Sequence, residues 1–387
     1  MKDLVFFINS LGRGGAEKAI IQILERMDKQ KYHLKLVILK NDGGYSNQVP
    51  DNVEVISLGR YNHSIISRLK WTFFWRTVKY FPGIIKRKIS KKANIRKNDL
   101  LISFLEGPST KLVSMFPNKK ITWMHTDYQL NRWTEVYFKS PEEELSYYNK
   151  FNSIVFVSKH GKEAFNSFFN NKVTSHEEVI YNPIDVQEIE KLSIIESENT
   201  EKWVKDTENT KRIVSIGRLT EVKRLDWLID AQKELNSLAI PVSTTIIGDG
   251  KLYEKYQNRV VSEKIKNIYF IGFKSNPYSY LKYADIYTST SVTESYPLSI
   301  AEAYSLQIPV IATKNSGSME LSREGKYALL VDSEYDAFYK ALKEMVLNEN
   351  LLSEYINISK EAKEQFNVET VLQDIENLID KVDVCDE

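Results

Sequence analysis

The chain has 387 residues, 42% of them hydrophobic and 27% charged, and its formal net charge is +1. This length exceeds one typical domain and suits two, and so balanced a charge gives no overall argument for a nucleic-acid partner. The single cysteine, Cys385, excludes a disulfide within the chain and a cysteine-ligated metal site.

The first half of the chain alternates short apolar runs with amphipathic stretches. Runs that are apolar almost throughout are typical of parallel strands buried on both faces. They occupy residues 4–9, 34–39, 53–58, 100–104, 121–125, 154–158 and 179–181. Amphipathic stretches at 16–27 and 159–169 predict helices between strands, so the pattern predicts βαβ units and a doubly wound sheet.

The second half repeats this pattern after a polar break, residues 186–210, in which no strand fits. Predicted strands follow at 213–216, 244–247, 268–271, 286–289, 310–313 and 328–331, and three helices close the chain at about 334–348, 351–365 and 368–381. The sequence therefore predicts an α/β fold of two Rossmann-like domains, residues 1–185 and 186–365, followed by a C-terminal helix in 366–387.

Two such sheets provide a natural place for a site. Ligands of open α/β sheets bind beyond the carboxyl ends of the strands, so two sheets that face each other would line one cleft with those ends. No run of about 18 apolar residues could span a membrane, and the apolar run 4–8 is too short for the core of a signal peptide. We therefore expect a cytoplasmic protein.

A glycine-rich loop, Gly12 to Lys18, follows the first strand and opens the first helix. Glycines allow a close backbone approach, and free N–H groups at a helix N-terminus favour a diphosphate. The alternative is a plain turn between strand and helix. Because Glu17 occupies the third glycine position of the dinucleotide fingerprint, a nicotinamide cofactor is disfavoured.

Two basic residues, Arg218 and Lys223, flank the loop after the first strand of the second half. An arginine fork and a mobile lysine both suit phosphate oxygens. Cations fixed there would stabilise the negative charge that grows on a leaving diphosphate. The alternative is a pair of ordinary surface residues, but their place after a strand favours a functional interpretation.

Two glutamates, Glu294 and Glu302, stand eight positions apart, with a loop and a helix start between them. One carboxylate can accept hydrogen bonds from a ribose diol, and the other can contact sugar hydroxyls. The free N–H groups of Leu298 and Ser299 can point at phosphate. The alternative is an amphipathic helix with a solvated glutamate.

Together these motifs resemble the family 4 glycosyltransferases, retaining enzymes of the GT-B fold that include bacterial capsule and exopolysaccharide glycosyltransferases. The match follows the order and spacing of Gly217-Arg218 through Lys223, Ile247-Gly248-Asp249-Gly250, Ile271-Gly272-Phe273, Glu294 through Ala303, and Ile308 through Thr313. The first half matches in Gly14-Gly15-Ala16-Glu17-Lys18 and in Asn182-Pro183-Ile184-Asp185.

The resemblance implies an acceptor-binding first domain, a nucleotide-sugar-binding second domain, and a C-terminal helix that crosses back to the first. It implies that Arg218 and Lys223 hold the donor diphosphate, while Glu294 and His125 lie near the reacting sugar; these four are the expected catalytic residues. Glu302 is expected to bind the ribose. The rest of the expected donor-binding set is Gly14, Gly15, Gly217, Gly248, Asp249, Gly250, Phe273, Lys274, Tyr296, Pro297, Leu298 and Ser299.

The resemblance also implies front-face attack through an oxocarbenium-like state, with the leaving phosphate taking the acceptor proton. The sequence shows no evident protein nucleophile and no Asp-x-Asp motif, so we expect neither a metal nor a cofactor. We favour a UDP-sugar donor and a lipid-linked or other cell-envelope glycan as acceptor. Two alternatives stay open: a GT-B-fold sugar-nucleotide epimerase, and a non-catalytic sugar-nucleotide-binding subunit.

A basic, aromatic segment lies between Arg60 and Lys97, where no aspartate or glutamate occurs. Residues 64–92 are expected to form a helix with an apolar face, which suits an anionic membrane at the inner face of the plasma membrane, or an anionic acceptor. The alternative is a helix packed on its own domain with a solvated basic face. The residues expected to contact membrane or acceptor are Lys86, Arg87, Lys88, Lys91 and Lys92.

Overall fold

The computed structural model describes residues 1–12, 14–62 and 64–384, so Arg13 of the glycine-rich loop and Cys385 lie outside the described residues. The chain divides into two compact units. Unit 1 comprises Met1–Pro183 and Glu369–Glu387, and unit 2 comprises Ile184–Val368.

Unit 1 is built on a parallel sheet. Its strands are β1 (Lys2–Ser10), β2 (Tyr32–Lys40), β3 (Glu54–Ser57), β4 (Leu100–Ser103), β5 (Lys120–Met124), β6 (Ser153–Phe156) and β7 (His176–Val179). Their spatial order is β3-β2-β1-β4-β5-β6-β7, and all pairs are parallel. Leu4 to Ile8 of β1 are fully buried, which explains why the run is apolar throughout. The strand order reverses between β1 and β4, where ligand crevices form.

The helices of unit 1 before the domain junction are short or interrupted. They are α1 (Gly15–Arg26), α2 (Ile65–Tyr80), α3 (Pro82–Lys92), α4 (Pro108–Val113), α5 (Pro141–Tyr148) and α6 (Lys159–Phe168). The expectation of one helix over 64–92 is wrong, because Pro82 starts a new helix. Proline lacks an N–H and disfavours the helical conformation at the residue before it, and Phe81 has φ −134° and ψ 49°.

Unit 2 carries a second parallel sheet. Its strands are β8 (Lys211–Ile216), β9 (Val242–Ile247), β10 (Ile268–Gly272), β11 (Ile286–Ser289), β12 (Val310–Thr313) and β13 (Leu329–Val331). Their order is β10-β9-β8-β11-β12-β13, again entirely parallel. The order reverses between β8 and β11, so the loops after these two strands define the crevice of this unit. The two doubly wound sheets confirm the predicted α/β class.

The polar break before β8 is helical, a feature that the strand pattern did not predict. It contains two helices, which begin after Asp185 and Ser197. The side chains of these residues cap the helices by accepting from the backbone N–H groups of Glu188 and Thr200. The helices of unit 2 are α7 (Val186–Ser193), α8 (Glu198–Asp206), α9 (Asp226–Ser237), α10 (Tyr253–Ser262), α11 (Tyr278–Leu281), α12 (Leu298–Ser305), α13 (Ser316–Leu321), α14 (Tyr335–Leu347) and α15 (Glu349–Lys363).

The last helix, α16 (Val368–Val384), lies almost wholly in unit 1. Lys31 pairs with Glu376 at 2.8 Å, and Nζ of Lys2 donates to the carbonyl of Ile379 at 3.2 Å. Among the described residues, none of the helices combines the length and the apolar character needed to cross a bilayer.

Candidate active site

The crevice of unit 2 is framed by two loops that are tied together. A short 3-10 turn, Glu221–Lys223, follows β8, and the loop from Thr290 follows β11. The hydroxyl of Thr290 donates to the carbonyls of Lys223 and Arg224 at 2.7 and 3.1 Å, and the N–H of Val292 donates to the carbonyl of Val222 at 2.8 Å. These bonds fix the backbone of Lys223 relative to the glutamate loop.

An ion pair forms the centre of this arrangement. Nζ of Lys223 pairs with Oε1 of Glu294, and both side chains are about one-fifth exposed, at 21% and 18%. Gly217 leaves room for the lysine, because a Cβ at this position would lie 3.3 Å from Cε of Lys223. Arg218, the next residue, is exposed. The two cations predicted for phosphate and one of the two predicted glutamates therefore lie at the switch point of the sheet.

The second glutamate, Glu302, is the fifth residue of α12 and is 5% exposed. The hydroxyl of Tyr278 donates to Oε1 of Glu302 at 3.1 Å, which fixes the orientation of the carboxylate. Tyr296, Pro297, Leu298 and Ser299 form the approach to α12 and its first turn. Sequence reasoning missed Tyr278, since a tyrosine beside a proline carries no pattern of its own.

The glycine turn after β9 packs directly on the loop after β8. A side chain at Gly248, whose φ is +150°, would collide with the carbonyl of Gly217, and a Cβ at Gly250 would lie 2.5 Å from the carbonyl oxygen of Leu219. Asp249 between them is exposed. Close packing of two loops thus requires these glycines, whether or not a nucleotide also approaches them. Phe273 and Lys274, both half-buried, follow β10.

A further contact holds the Glu294 loop from the side of α13. The carbonyl of Glu294 accepts from the N–H of Gly317 at 2.7 Å and from the hydroxyl of Ser316 at 2.9 Å. A Cβ at Gly317 would lie only 2.6 Å from Cδ of Pro297. Neither Ser316 nor Gly317 was predicted. The available signal was two small residues, three and four positions after β12, because small side chains near a strand end allow close backbone approach.

In unit 1 the glycine-rich loop leads into α1, as its position after the first strand predicted. Gly14 is the N-cap residue of α1 and Gly15 its first residue. A side chain at Gly14 would collide with the carboxylate of Glu17. Because the carboxylate ends a flexible side chain that can move aside, local packing alone does not require the glycine. The helix N-terminus remains a suitable place for an anion.

His125 directly follows β5 and is held in its neutral form. Burial lowers the pKa of its imidazole to about 3, although a hydrogen bond from the ring to the carbonyl of Phe104 acts in the opposite direction. The phenyl ring of Phe104 lies 5.0 Å from the imidazole. Nε2 is out of contact with solvent and has no hydrogen-bond partner among the described residues. The ring therefore presents an unused acceptor.

A buried carboxylate that sequence reasoning missed lies beside His125. Glu106, fully buried, accepts from the backbone N–H of His125 at 2.9 Å, from the indole N–H of Trp133 at 3.1 Å, and from the hydroxyl of Thr126. The available signal was a charged residue three positions after a buried strand, where a buried carboxylate requires donors from other elements.

The five predicted basic residues lie on α3. Arg87, Lys88 and Lys91 are exposed. Lys86 instead stacks over the ring of Phe116, with Nζ 5.1 Å from its centroid, and Lys92 donates to the carbonyl of Ser57. Four of the five are thus exposed, Lys92 among them, and Lys86 and Lys92 also contact other elements of unit 1. Within the described ranges no group of three or more His, Cys, Asp or Glu side chains could hold a metal ion.

Comparison with known proteins relates the chain to glycosyltransferases. Residues 197–365 match the family model described as glycosyl transferases group 1. An uncharacterized glycosyltransferase of Methanocaldococcus jannaschii is 27% identical over 59% of this chain and 59% of its own length. The N-acetylgalactosamine-N,N'-diacetylbacillosaminyl-diphospho-undecaprenol 4-alpha-N-acetylgalactosaminyltransferase of Campylobacter jejuni is 24% identical over 97% of this chain and 98% of its own length.

Solved structures share the fold along the whole chain. The structure of Anabaena Alr3699/HepE in complex with UDP and glucose superposes with a TM-score of 0.77 at 18% identity, covering 98% of this chain and all of that one. The chain therefore has the GT-B fold, and its residues 197–365 match the glycosyl transferases group 1 family.

Proposed function

We propose that this glycosyltransferase transfers a sugar, with retention of anomeric configuration, from a UDP-sugar to a lipid-linked cell-envelope glycan. The observation that carries the donor half of the proposal is the placing of Lys223 and Glu294 side by side at the switch point of unit 2, next to exposed Arg218. Cations at this position suit a diphosphate, and an adjacent carboxylate suits sugar hydroxyls.

The proposed reaction needs no protein nucleophile. The bond between C1 of the sugar and the phosphate oxygen breaks, and a bond from C1 to the acceptor oxygen forms on the same face. The acceptor proton passes to the leaving phosphate, so UDP is the second product. Arg218 and Lys223 stabilise the negative charge that develops on the diphosphate, and Glu302 holds the ribose.

The choice of donor and acceptor draws support from relatives. UDP occupies the Anabaena structure, and the name of the Campylobacter enzyme specifies a diphospho-undecaprenol acceptor. An acceptor of that chemistry is anchored in a membrane. We therefore propose that the chain works at the inner face of the plasma membrane as a peripheral enzyme.

UDP is expected to stabilise the purified chain against thermal unfolding, whereas GDP and ADP are expected to have much smaller effects. A ligand that binds only the folded state at a hundredfold excess over its dissociation constant adds about 2.7 kcal/mol. The measurement is a thermal melt with each nucleotide at equal concentration. Equal shifts with all three would contradict the uridine assignment, and a shift with none would contradict the donor site.

Helix α2 provides the surface that supports the membrane part of the proposal. One apolar stripe, which includes Trp71 and Val78, is buried in unit 1. A second stripe faces solvent with side chains 53% to 80% exposed: Ile66, Leu69, Phe73 and Tyr80. A helix needs only one apolar stripe to pack on its own domain, so the second is available to another apolar phase.

The position and charge of this stripe suit an anionic bilayer. Nζ of Lys111, a fully buried lysine, donates to the carbonyl of Lys79 at 2.9 Å and so fixes the end of α2 on unit 1. Beyond it, Phe81 and Ile84 continue the exposed apolar surface at 66% and 60% exposure. Basic side chains flank the surface, and no acidic residue occurs from 61 to 96. Each basic residue near an anionic surface contributes about 1 kcal/mol.

The double variant Leu69→Ser/Phe73→Ser is expected to bind vesicles containing phosphatidylglycerol at least about tenfold more weakly than the parent, because both side chains would leave the acyl region. Vesicle sedimentation measures the change. Val261→Ser is the matched control, since Val261 is 77% exposed but lies in unit 2. Replacing Arg87, Lys88 and Lys91 with Gln should weaken binding mainly at low salt. Equal binding by the parent and the double variant would refute the assignment.

A further inference from the structure

The three hydrogen bonds to the carboxylate of Glu106 connect separate elements of unit 1. Its partners lie at the end of β5 (His125 and Thr126) and in the 3-10 helix Trp133–Tyr137. Glu106 itself lies in the loop after β4. One side chain, fully buried, thus determines where the chain leaves two neighbouring strands at their carboxyl ends.

Trp133 completes the network from the opposite side. Its indole N–H is within hydrogen-bond distance of both Glu106 (3.1 Å) and the hydroxyl of Thr126 (3.0 Å). Its ring lies on Gly107, where a Cβ would come within 3.1 Å of Cη2 and where φ is +88°. A glycine is needed here both for the backbone conformation and for the close approach of the indole.

The network also reaches β1. Nδ2 of Asn9 donates to the carbonyl of Glu106 at 3.0 Å, and Oδ1 of Asn9 accepts from the N–H of Ser109 at 3.0 Å. The ends of β1, β4 and β5 are therefore joined by hydrogen bonds at the point where the strand order of unit 1 reverses. Ligands of this sheet type bind at that point.

We propose that Glu106 and Trp133 are positioning residues for glycosyl transfer, which hold His125 and Thr126 in the geometry that the reaction needs. The proposal rests on the function proposed above, together with the expectation from the family resemblance that His125 lies near the reacting sugar. Neither Glu106 nor Trp133 is taken to touch substrate. Their effect passes through the backbone N–H of His125 and the hydroxyl of Thr126.

The physical reason is that a buried carboxylate stabilises a core less well than apolar side chains do, so packing alone does not explain Glu106. Burying a carboxylate is unfavourable unless donors surround it, and apolar side chains of similar volume often stabilise a core as well or better. What a satisfied carboxylate adds is one fixed geometry for its donors. The imidazole of His125 bonds the carbonyl of Phe104 and presents Nε2 only while the backbone at 125 stays in place. A misplacement of about 1 Å in a reacting site can lower the rate about a hundredfold.

The test compares two indole N–H groups in the same unit. Trp133→Phe keeps a ring over Gly107 and removes the N–H. Trp71→Phe is the matched control, since Trp71 is 4% exposed and its indole donates to the carbonyl of Arg60 at 3.3 Å, outside the network. The assay follows UDP release from UDP-glucose and UDP-N-acetylgalactosamine with water as acceptor, and UDP affinity is measured separately.

We expect Trp133→Phe to lower kcat about tenfold with UDP affinity unchanged within twofold, and Trp71→Phe to leave both unchanged. Glu106→Gln should lower kcat further, because its amide would place a donor against a donor. Equal kcat values for Trp133→Phe and Trp71→Phe would overturn the positioning role. If the parent neither binds UDP nor releases it from either donor, the proposed function fails, and this inference fails with it.

Discussion

The Glu294→Gln variant is expected to bind UDP more tightly than the parent while transferring the sugar about a hundredfold more slowly. The two effects have one origin, because the carboxylate of Glu294 pairs with Nζ of Lys223. A donor diphosphate requires that cation and brings further negative charge to the carboxylate. Removing the carboxylate charge leaves Lys223 free for phosphate, which should tighten UDP binding by about threefold to tenfold.

The rate of sugar transfer is expected to fall in this variant, although UDP affinity rises. In the proposed mechanism Glu294 contacts the donor sugar, on which positive charge develops as the bond to phosphate breaks. A carboxylate stabilises that positive charge and accepts hydrogen bonds from sugar hydroxyls. An amide can also accept such bonds, but it hardly stabilises the charge. Loss of one such group in a preorganised site costs about 3 kcal/mol of transition-state stabilisation, or roughly a hundredfold in rate.

Glu302→Gln is the matched control for this pair of measurements. It removes the same charge eight residues away, at a carboxylate that is 5% exposed and bonded to Tyr278. Since the proposed partner of Glu302 is the ribose, UDP affinity should fall about tenfold in this variant. Calorimetric titration with UDP separates the two cases. Weaker UDP binding in both variants would show that Glu294 supports the diphosphate site and does not compete for Lys223.

Most of the strands could be predicted from apolar runs because a parallel strand buried on both faces has almost no polar position. Leu4 to Ile8 illustrate this, since all five are fully buried in β1. The helices α7 and α8 were not predicted, because a helix with one narrow buried side resembles a polar linker in composition. The break at Pro82 could have been predicted from the proline alone.

The residues of the candidate site also include some that were predicted from the sequence and some that were not. Lys223 and Glu294 are 71 positions apart, and the family resemblance had implied that both belong to the donor site. The supporting residues gave no such signal. Glu106, Trp133 and Gly317 act through contacts with other elements, and a single sequence does not specify which buried donor meets which acceptor.

Acidification from pH 7 to pH 4 is expected to destabilise the parent chain by about 3 kcal/mol through His125 alone, with about 2 kcal/mol of this lost by pH 5. Burial lowers the pKa of the folded imidazole to about 3, whereas an unfolded histidine has a pKa near 6.5. The contribution is therefore fully present above about pH 6.5. Below that pH the unfolded chain binds a proton that the folded chain does not, so stability falls until the pH reaches about 3.

The measurement is urea unfolding of the parent and of His125→Gln at pH 7 and pH 5, since few carboxylates titrate above pH 5. His125→Gln should lose about 2 kcal/mol less than the parent over this interval. Phe116→Leu is the control, because Phe116 is 4% exposed in another core cluster of unit 1 and its loss should lower stability equally at both pH values. Equal losses in the free energy of unfolding for the parent and His125→Gln would mean that the folded imidazole titrates like the unfolded one. The predicted difference would instead mean that folded His125 is neutral at pH 5 and above, so that its Nε2 can act only as a hydrogen-bond acceptor.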